Sequence, residues 1–258
     1  MSGRGRNRKN GWVAVTQHAA IDLAALFASL ARRLSREPTK EQTLQQVVDL
    51  AAVVVPGGDH AGVTVQRRGK RLESPAYTDP LVQQLDRAQV EENQGPSLDS
   101  GTEEPILVVP DMATDQRWPR FSARARRMGI RSMLTCQLRS ERGTLGALNL
   151  YAESAEAFDD FSVQSAAIYS AHAALAMSHA AVVDSLTTAM ESRQVIGEAT
   201  GLLMERYEVT SPQAFQMLVQ ASQHLNVKLR KVSEMVVEKR VAPEDIPPED
   251  LPAATASP

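Results

Sequence analysis

Apolar residues recur along this 258-residue chain at two periods, and the changes between them mark out its elements. Ile21, Leu23, Leu26, Leu30 and Leu34 keep helical spacing, which predicts an amphipathic helix over 19–34, closed before Pro38. Thr39-Lys40-Glu41-Gln42 reads as the start of a second helix that buries Leu44, Val47, Val48 and Ala51. From Gly62 the period shortens. Val63, Val65, Leu72 and Ala76 flank the turn Arg67-Arg68-Gly69-Lys70, as in a hairpin. Residues 79–90 return to helix. The stretch 91–120 is turn-rich, with one short buried strand at 105–109 and a loop anchored by Trp118-Pro119. A helix at 123–128 and strands at 131–139 and 144–151, joined through Glu141-Arg142-Gly143, complete an α+β domain.

Between Ala147 and Ile196 there is neither glycine nor proline. Asp159 or Asp160 can cap a helix there, which would be about 70 Å long if unbroken to Tyr207. Leu175, Val182, Ala189, Ile196 and Leu203 fall at intervals of seven. Leu186 supports the pattern, while His179 and Arg193 do not. Before Ala176 the helix is expected to pack on its own sheet. Beyond that point the heptads predict a parallel homodimer through residues 176–200, with Leu175, Val182, Leu186 and Ala189 in the seam.

Three amphipathic segments follow. Ile196, Ala199, Leu203 and Tyr207 share one face; Ala214, Leu218, Ala221 and Leu225 the next; Leu229, Val232, Met235 and Val236 the third. Thr210-Ser211-Pro212-Gln213 has the form of a capping box. Asn226 is placed to close one helix and cap the next. The prediction is a small three-helix bundle.

Charge changes this picture locally. The net charge is −3, so there is no global excess of positive charge for nucleic acid. Arg4, Arg6, Arg8 and Lys9 make residues 1–18 a basic tail, and 242–258 is an acidic, proline-rich one. The lone Cys136 excludes an internal disulfide and suits a reducing cytoplasm. No continuous apolar run reaches the length of a membrane span.

Catalytic chemistry is not written into the chain. His18, His60, His172, His179 and His224 lie in five separate contexts without metal-ligand spacing. Pro56-Gly57-Gly58 lacks the ending of a phosphate loop, and there is no Gly-x-Ser-x-Gly elbow. Asp159-Asp160 is explained by capping. No enzyme, cofactor or metal site is expected.

The residues IGEATGLLMERYEVTSPQAF and QASQHLNVKLRKVSEMVV resemble the ANTAR domain, an RNA-binding module of bacterial transcription antiterminators. VVPDMATDQRWPRFSARARRMGIRSMLTCQLRSERGTLG with GALNLYAESAEAFDD resembles a GAF domain. It is close to the GAF domains that precede ANTAR domains in actinobacterial proteins. The resemblance implies a sensor at 19–175, a connecting helix at 176–192 and an RNA-binding bundle at 193–241. It also implies an RNA surface from Arg193, Thr200, Gly201, Met204, Arg206, Gln223, Asn226, Lys228, Arg230 and Lys231.

Two departures reduce the expected charge: Thr200 stands where the family usually has lysine, and Val219-Gln220 where a basic pair is common. Ser97, in Gly95-Pro96-Ser97-Leu98, replaces a cysteine often seen in relatives. The expected protein is a cytoplasmic regulator that binds tandem stem-loops in nascent transcripts and answers to a small-molecule or protein signal. The alternative is a protein-interaction or DNA-associated regulator whose bundle has lost RNA affinity. For the sensor, a pocket behind 91–120 and a filled core are both open.

Overall fold

Thr39 starts the first helix as expected, its Oγ1 accepting from Gln42 N at 3.2 Å. That helix, α1 (Lys40–Val54), buries Leu44, Val47, Val48 and Ala51. The computed structural model describes residues 39–67, 71–99, 104–141 and 143–240, and the chain divides into two compact units, Met1–Val182 and Val183–Pro258. The basic tail, the helix expected at 19–34, most of the first hairpin's turn and the acidic tail fall outside the described residues.

In the first unit, β1 (His60–Arg67) and β2 (Arg71–Tyr77) pair antiparallel, with a bulge between Val63 and Val65. Helices α2 (Pro80–Glu92) and α3 (Pro96–Asp99) lead to β3 (Ile106–Val109). Then come α4 (Pro119–Arg127), β4 (Ser132–Ser140) and β5 (Gly143–Ala152). The strands form one antiparallel sheet in the order β2-β1-β5-β4-β3. Two elements differ from the sequence reading. Residues 96–99 fold into a short helix within the expected loop region, and α4 starts at Pro119, four residues early. Proline's fixed φ suits a first helical turn, so Trp118-Pro119 is a helix start as well as a loop anchor.

Both sheet faces are covered, and period-two alternation sorts the strand residues between them. On one face, Ala61, Val63, Leu134, Cys136, Leu138, Leu148 and Leu150 pack with α1 and with Ala166, Tyr169 and Ala173 of a long helix, α5 (Asp160–Tyr207). Tyr169 Oη donates to Val47 O at 2.6 Å, joining the two covering helices. Burial there pushes the Cys136 thiol up to about 12. On the other face, Leu107, Val109, Met133 and Tyr151 pack against Val82, Leu85 and Ala88 of α2 and Phe121 and Ala125 of α4. A side-chain carbon at Gly62 would collide with Val82 Cγ1, so glycine permits this close approach of α2. Beneath residues 104–120 the layer is occupied by Leu107, Val109, Met112 and Trp118. A cavity of about 330 Å³ opens instead between β2 and α2, beside Leu72, Ser74, Asp86 and Val90.

Asp159 caps α5: its Oδ1 accepts from Ser162 N at 2.8 Å, which holds the carboxyl below its usual range. At 48 residues the helix is about 72 Å long. By length and composition it is apolar enough to cross a membrane, although no continuous run of apolar residues in it reaches that length. Its buried residues up to Met177 are part of the sheet's core and account for a third of the apolar stretch; the rest faces outward.

In the second unit, the end of α5 joins α6 (Ser211–Leu225) and α7 (Leu229–Lys239) around Ala199, Leu203, Ala214, Leu218, Val232, Met235 and Val236. The capping box forms, with Thr210 N donating to Gln213 Oε1 at 2.9 Å. Asn226 closes α6 in the left-handed conformation at φ 52° but does not cap α7; Lys228 holds that position. Val227 lies between them, buried in the bundle core, and separates the two roles. Tyr207, expected on the buried face, is exposed. Leu203, the last member of the heptad series, is buried in the bundle core, and Ile196 is half-buried against it.

Candidate nucleic-acid interface

The end of α5 presents a bare strip of backbone. Gly197 and Gly201 are one turn apart, both exposed, and a Cβ at either position would meet nothing within 4 Å. Glycine inside a helix costs about 0.5–1 kcal/mol relative to alanine, and no packing within the described residues requires it here. Arg193 and Met204 are exposed at the two ends of this strip. Gly197 was missed in the sequence reading, although its i, i+4 relation to Gly201 is visible there.

Thr200 is turned the other way. It is 8% exposed, and its Oγ1 donates to Ile196 O at 2.7 Å, so its hydroxyl serves its own helix.

On α6 the exposed face carries Gln213, Gln216, Gln220 and Gln223, spaced at three and four residues. These are uncharged amides that can both donate and accept. Phe215 is exposed on the same helix and, with Tyr207, gives the bundle two accessible aromatic rings; the sequence reading had counted only Tyr207. Phe215 falls off the stripe of Ala214, Leu218, Ala221 and Leu225, and that offset was the available signal.

The cations differ in how far they are engaged. Lys228 is exposed, and Asn226 is exposed at its helix end. Arg230 is half-buried and held by two carboxylates: Nε reaches Glu234 Oε1 at 2.9 Å and Nη2 reaches Glu191 Oε2 at 3.2 Å. Those contacts, Glu234 first, raise the guanidinium's pKa. Lys231 Nζ lies 3.2 Å from the other oxygen of Glu234, whose own pKa is lowered chiefly by Arg230. Arg206 Nη2 donates to Arg240 O at 2.8 Å. Arg206 and Arg240 line a groove of about 350 Å³ with Leu202, Glu205 and Val236. The fold thus places the expected residues on several parts of the bundle: the glycine strip on α5, the amide face on α6, the cations of α7, and the groove between α5 and α7.

An ANTAR domain family profile matches residues 184–237, and a GAF domain profile matches residues 37–178. No curated protein matches the chain. Among solved structures, the GAF domain of a phosphoenolpyruvate-protein phosphotransferase from Coxiella burnetii is similar at 15% identity and a TM-score of 0.52, over 64% of this chain and 98% of that one. The photosensory core module of a Stigmatella aurantiaca phytochrome is similar at 11% identity and a TM-score of 0.52, over 87% of this chain and 46% of that one. At these identities the likeness is one of fold.

Proposed function

Because the chain belongs to the GAF family and carries an ANTAR domain after it, we propose that it is an RNA-binding transcription antitermination regulator. Both matched domains are of regulatory types, a sensor followed by an RNA-binding output, and neither is catalytic. The observation that carries the proposal is the exposed Gly197–Gly201 strip within the ANTAR match, beside Arg193. Bare backbone lets a phosphate-sugar chain come close, and Phe215 and Tyr207 can stack on unpaired loop bases while the α6 glutamines bond their edges. The target is a pair of small stem-loops in a nascent transcript, bound in the cytoplasm by a homodimer.

Exposed apolar residues support the dimer. Phe161, Ile168, Leu175 and Val182 lie on α5 at intervals of seven and are all solvent-facing; Ala189 continues the sevens, and Leu186 and Met190 are exposed beside it. The heptad pattern therefore begins two repeats before Leu175, where the sequence reading had started it. A second copy would bury this stripe in parallel register. The GAF domain would receive a small-molecule or protein signal and change the availability of the two bundles.

A second reading, a protein-binding bundle, draws on the carboxylates that occupy Arg230 and Lys231. Titrating tandem stem-loop RNA at several salt concentrations, with duplex DNA as control, separates the two. The RNA reading requires salt-sensitive binding to the RNA.

A further inference from the structure

Residues 116–140 carry seven arginines and no acidic residue, in a chain whose net charge is −3. Six of them span Arg117 to Arg131, on α4 and its two flanks. The fold decides which way they face. Phe121, Ser122 and Ala125 are the buried residues of α4. Helical spacing puts Arg120, Ala123 and Arg127 on the opposite side, all exposed. Arg126 is exposed at one margin of that side, and Arg124 is half-buried at the other. Arg120 and Arg127 are about 10 Å apart along the axis.

Four of the six cations are matched. Arg117 Nη2 lies 2.6 Å from Asp115 Oδ2, with its guanidinium 4.5 Å over the Trp118 ring. Arg131 Nη2 lies 3.0 Å from Asp111 Oδ2. Arg124 reaches both Glu91 and Glu92 of α2, and Arg120 Nε lies 3.6 Å from Glu92 Oε2. Arg126 and Arg127 have no carboxylate within ion-pair distance among the described residues. A helix dipole favours cations in a last turn, but it does not absorb these. The helix end carries about half a negative charge, and Arg124, Arg126 and Arg127 all stand against it. With Arg124 held by two glutamates, two positive charges are left facing solvent.

The core of a protein interface is apolar and depleted of charge. The exposed residues of α4 are Pro119, Arg120, Ala123, Arg126 and Arg127, which offer no such core. A guanidinium instead presents a planar fork that fits the oxygens of a phosphate. We propose that the outward face of α4 binds the phosphate backbone of single-stranded RNA, with Arg126 and Arg127 as its free contacts and Arg120 at its other end. Trp118 is buried and α4 exposes no aromatic ring, so this face holds a strand without reading its bases. The inference extends RNA contact to the sensor domain and rests on the RNA reading of the chain.

Fluorescence anisotropy of the full chain with a labelled oligouridine strand, at several salt concentrations, tests the proposal. Wild type should bind with an affinity that falls linearly with salt on a log–log plot. Arg126→Gln with Arg127→Gln should lower that slope by roughly 1.4, two contacts at about 0.7 each on a single strand. Melting curves check folding, and Arg127→Gln alone should still lower the slope by about 0.7. Arg126→Lys with Arg127→Lys keeps both charges and should hold the slope near wild type. Arg139→Gln, at an exposed position near the end of β4, controls for general charge and should leave the slope unchanged. An unchanged slope in the glutamine pair overturns the proposal and leaves the face to an acidic protein surface. An equal loss in the lysine pair, or a comparable loss in Arg139→Gln, also overturns it. Titration of the tandem stem-loop alongside keeps the two conclusions apart. Stem-loop binding without oligouridine binding removes this inference alone, and binding of neither RNA removes the RNA reading with it.

Discussion

Arg230 and Glu191 are 39 positions apart in sequence, yet Arg230 Nη2 lies 3.2 Å from Glu191 Oε2, tying α7 to α5 within the bundle. The same guanidinium holds Glu234, which also engages Lys231. Two of the three basic residues near the start of α7 are thus already opposite a carboxylate. These partly exposed ion pairs contribute modestly to stability and set the local charge. Glu234→Gln should leave the melting temperature nearly unchanged and strengthen RNA binding severalfold at low salt. The gain should disappear as salt is raised. Binding measured by fluorescence anisotropy at two salt concentrations checks this.

Gly201 separates packing from contact. With open space at its Cβ position, Gly201→Ala should stabilise the bundle by about 0.5–1 kcal/mol through helix propensity and a less flexible unfolded chain. Gly201→Leu should also fold, but it should weaken RNA binding by covering the bare backbone. Melting curves and titrations of both variants decide. A lower melting temperature in Gly201→Ala would mean that the position is packed.

Asp86 predicts a pH dependence of stability. Burial raises its pKa from 3.8 to about 6, against the opposing hydrogen bonds from Ser74, Tyr151 and Gln89. The folded state therefore holds this proton more tightly than the unfolded state, and ionisation is unfavourable only in the fold. Its contribution is most favourable below about pH 4, diminishes as pH rises towards 6, and is flat above that. The full difference is about 3 kcal/mol. Asp86→Asn should remove this slope, so that wild type minus variant stability falls between pH 4 and 6. Denaturant melts across that range measure it.

Much of this architecture could be read from the sequence, because periodicity records burial directly. Leu44, Val47, Val48 and Ala51 announced the inner face of α1, and Ala214, Leu218, Val232 and Met235 the bundle core. What escaped was set by tertiary neighbours. Thr200 sits at a position whose exposure depends on how the other two helices pack. Asn226 was given two roles because Val227's burial between them could not be seen. The pairing of Arg230 with Glu191 needs a chain reversal, and the cross-strand pairing of Thr135 with Asn149 needs strand register. Neither leaves a trace in local pattern.

The exposed heptad series on α5 predicts assembly. Leu175 is 71% exposed and Leu186 60%, so neither is needed by its own domain. Val182→Glu should convert a dimer into a folded monomer, because a charge in the seam opposes association while the single chain leaves Val182 at the surface. Light scattering at tens of micromolar reads the mass directly. A wild type that is already monomeric there would contradict the dimer.

The central claim, that the ANTAR bundle binds structured RNA through a few phosphate contacts, is tested most directly by the salt dependence of that binding in wild type and Lys228→Ala. Lys228 is exposed at the start of α7, outside the bundle core, so its loss should leave folding intact. The account predicts that wild type binds a tandem stem-loop with an affinity that falls linearly with salt on a log–log plot. Lys228→Ala should reduce that slope by roughly 0.7–0.9, with an unchanged melting temperature. Salt-insensitive binding, or no preference for the stem-loop RNA over duplex DNA, would contradict it.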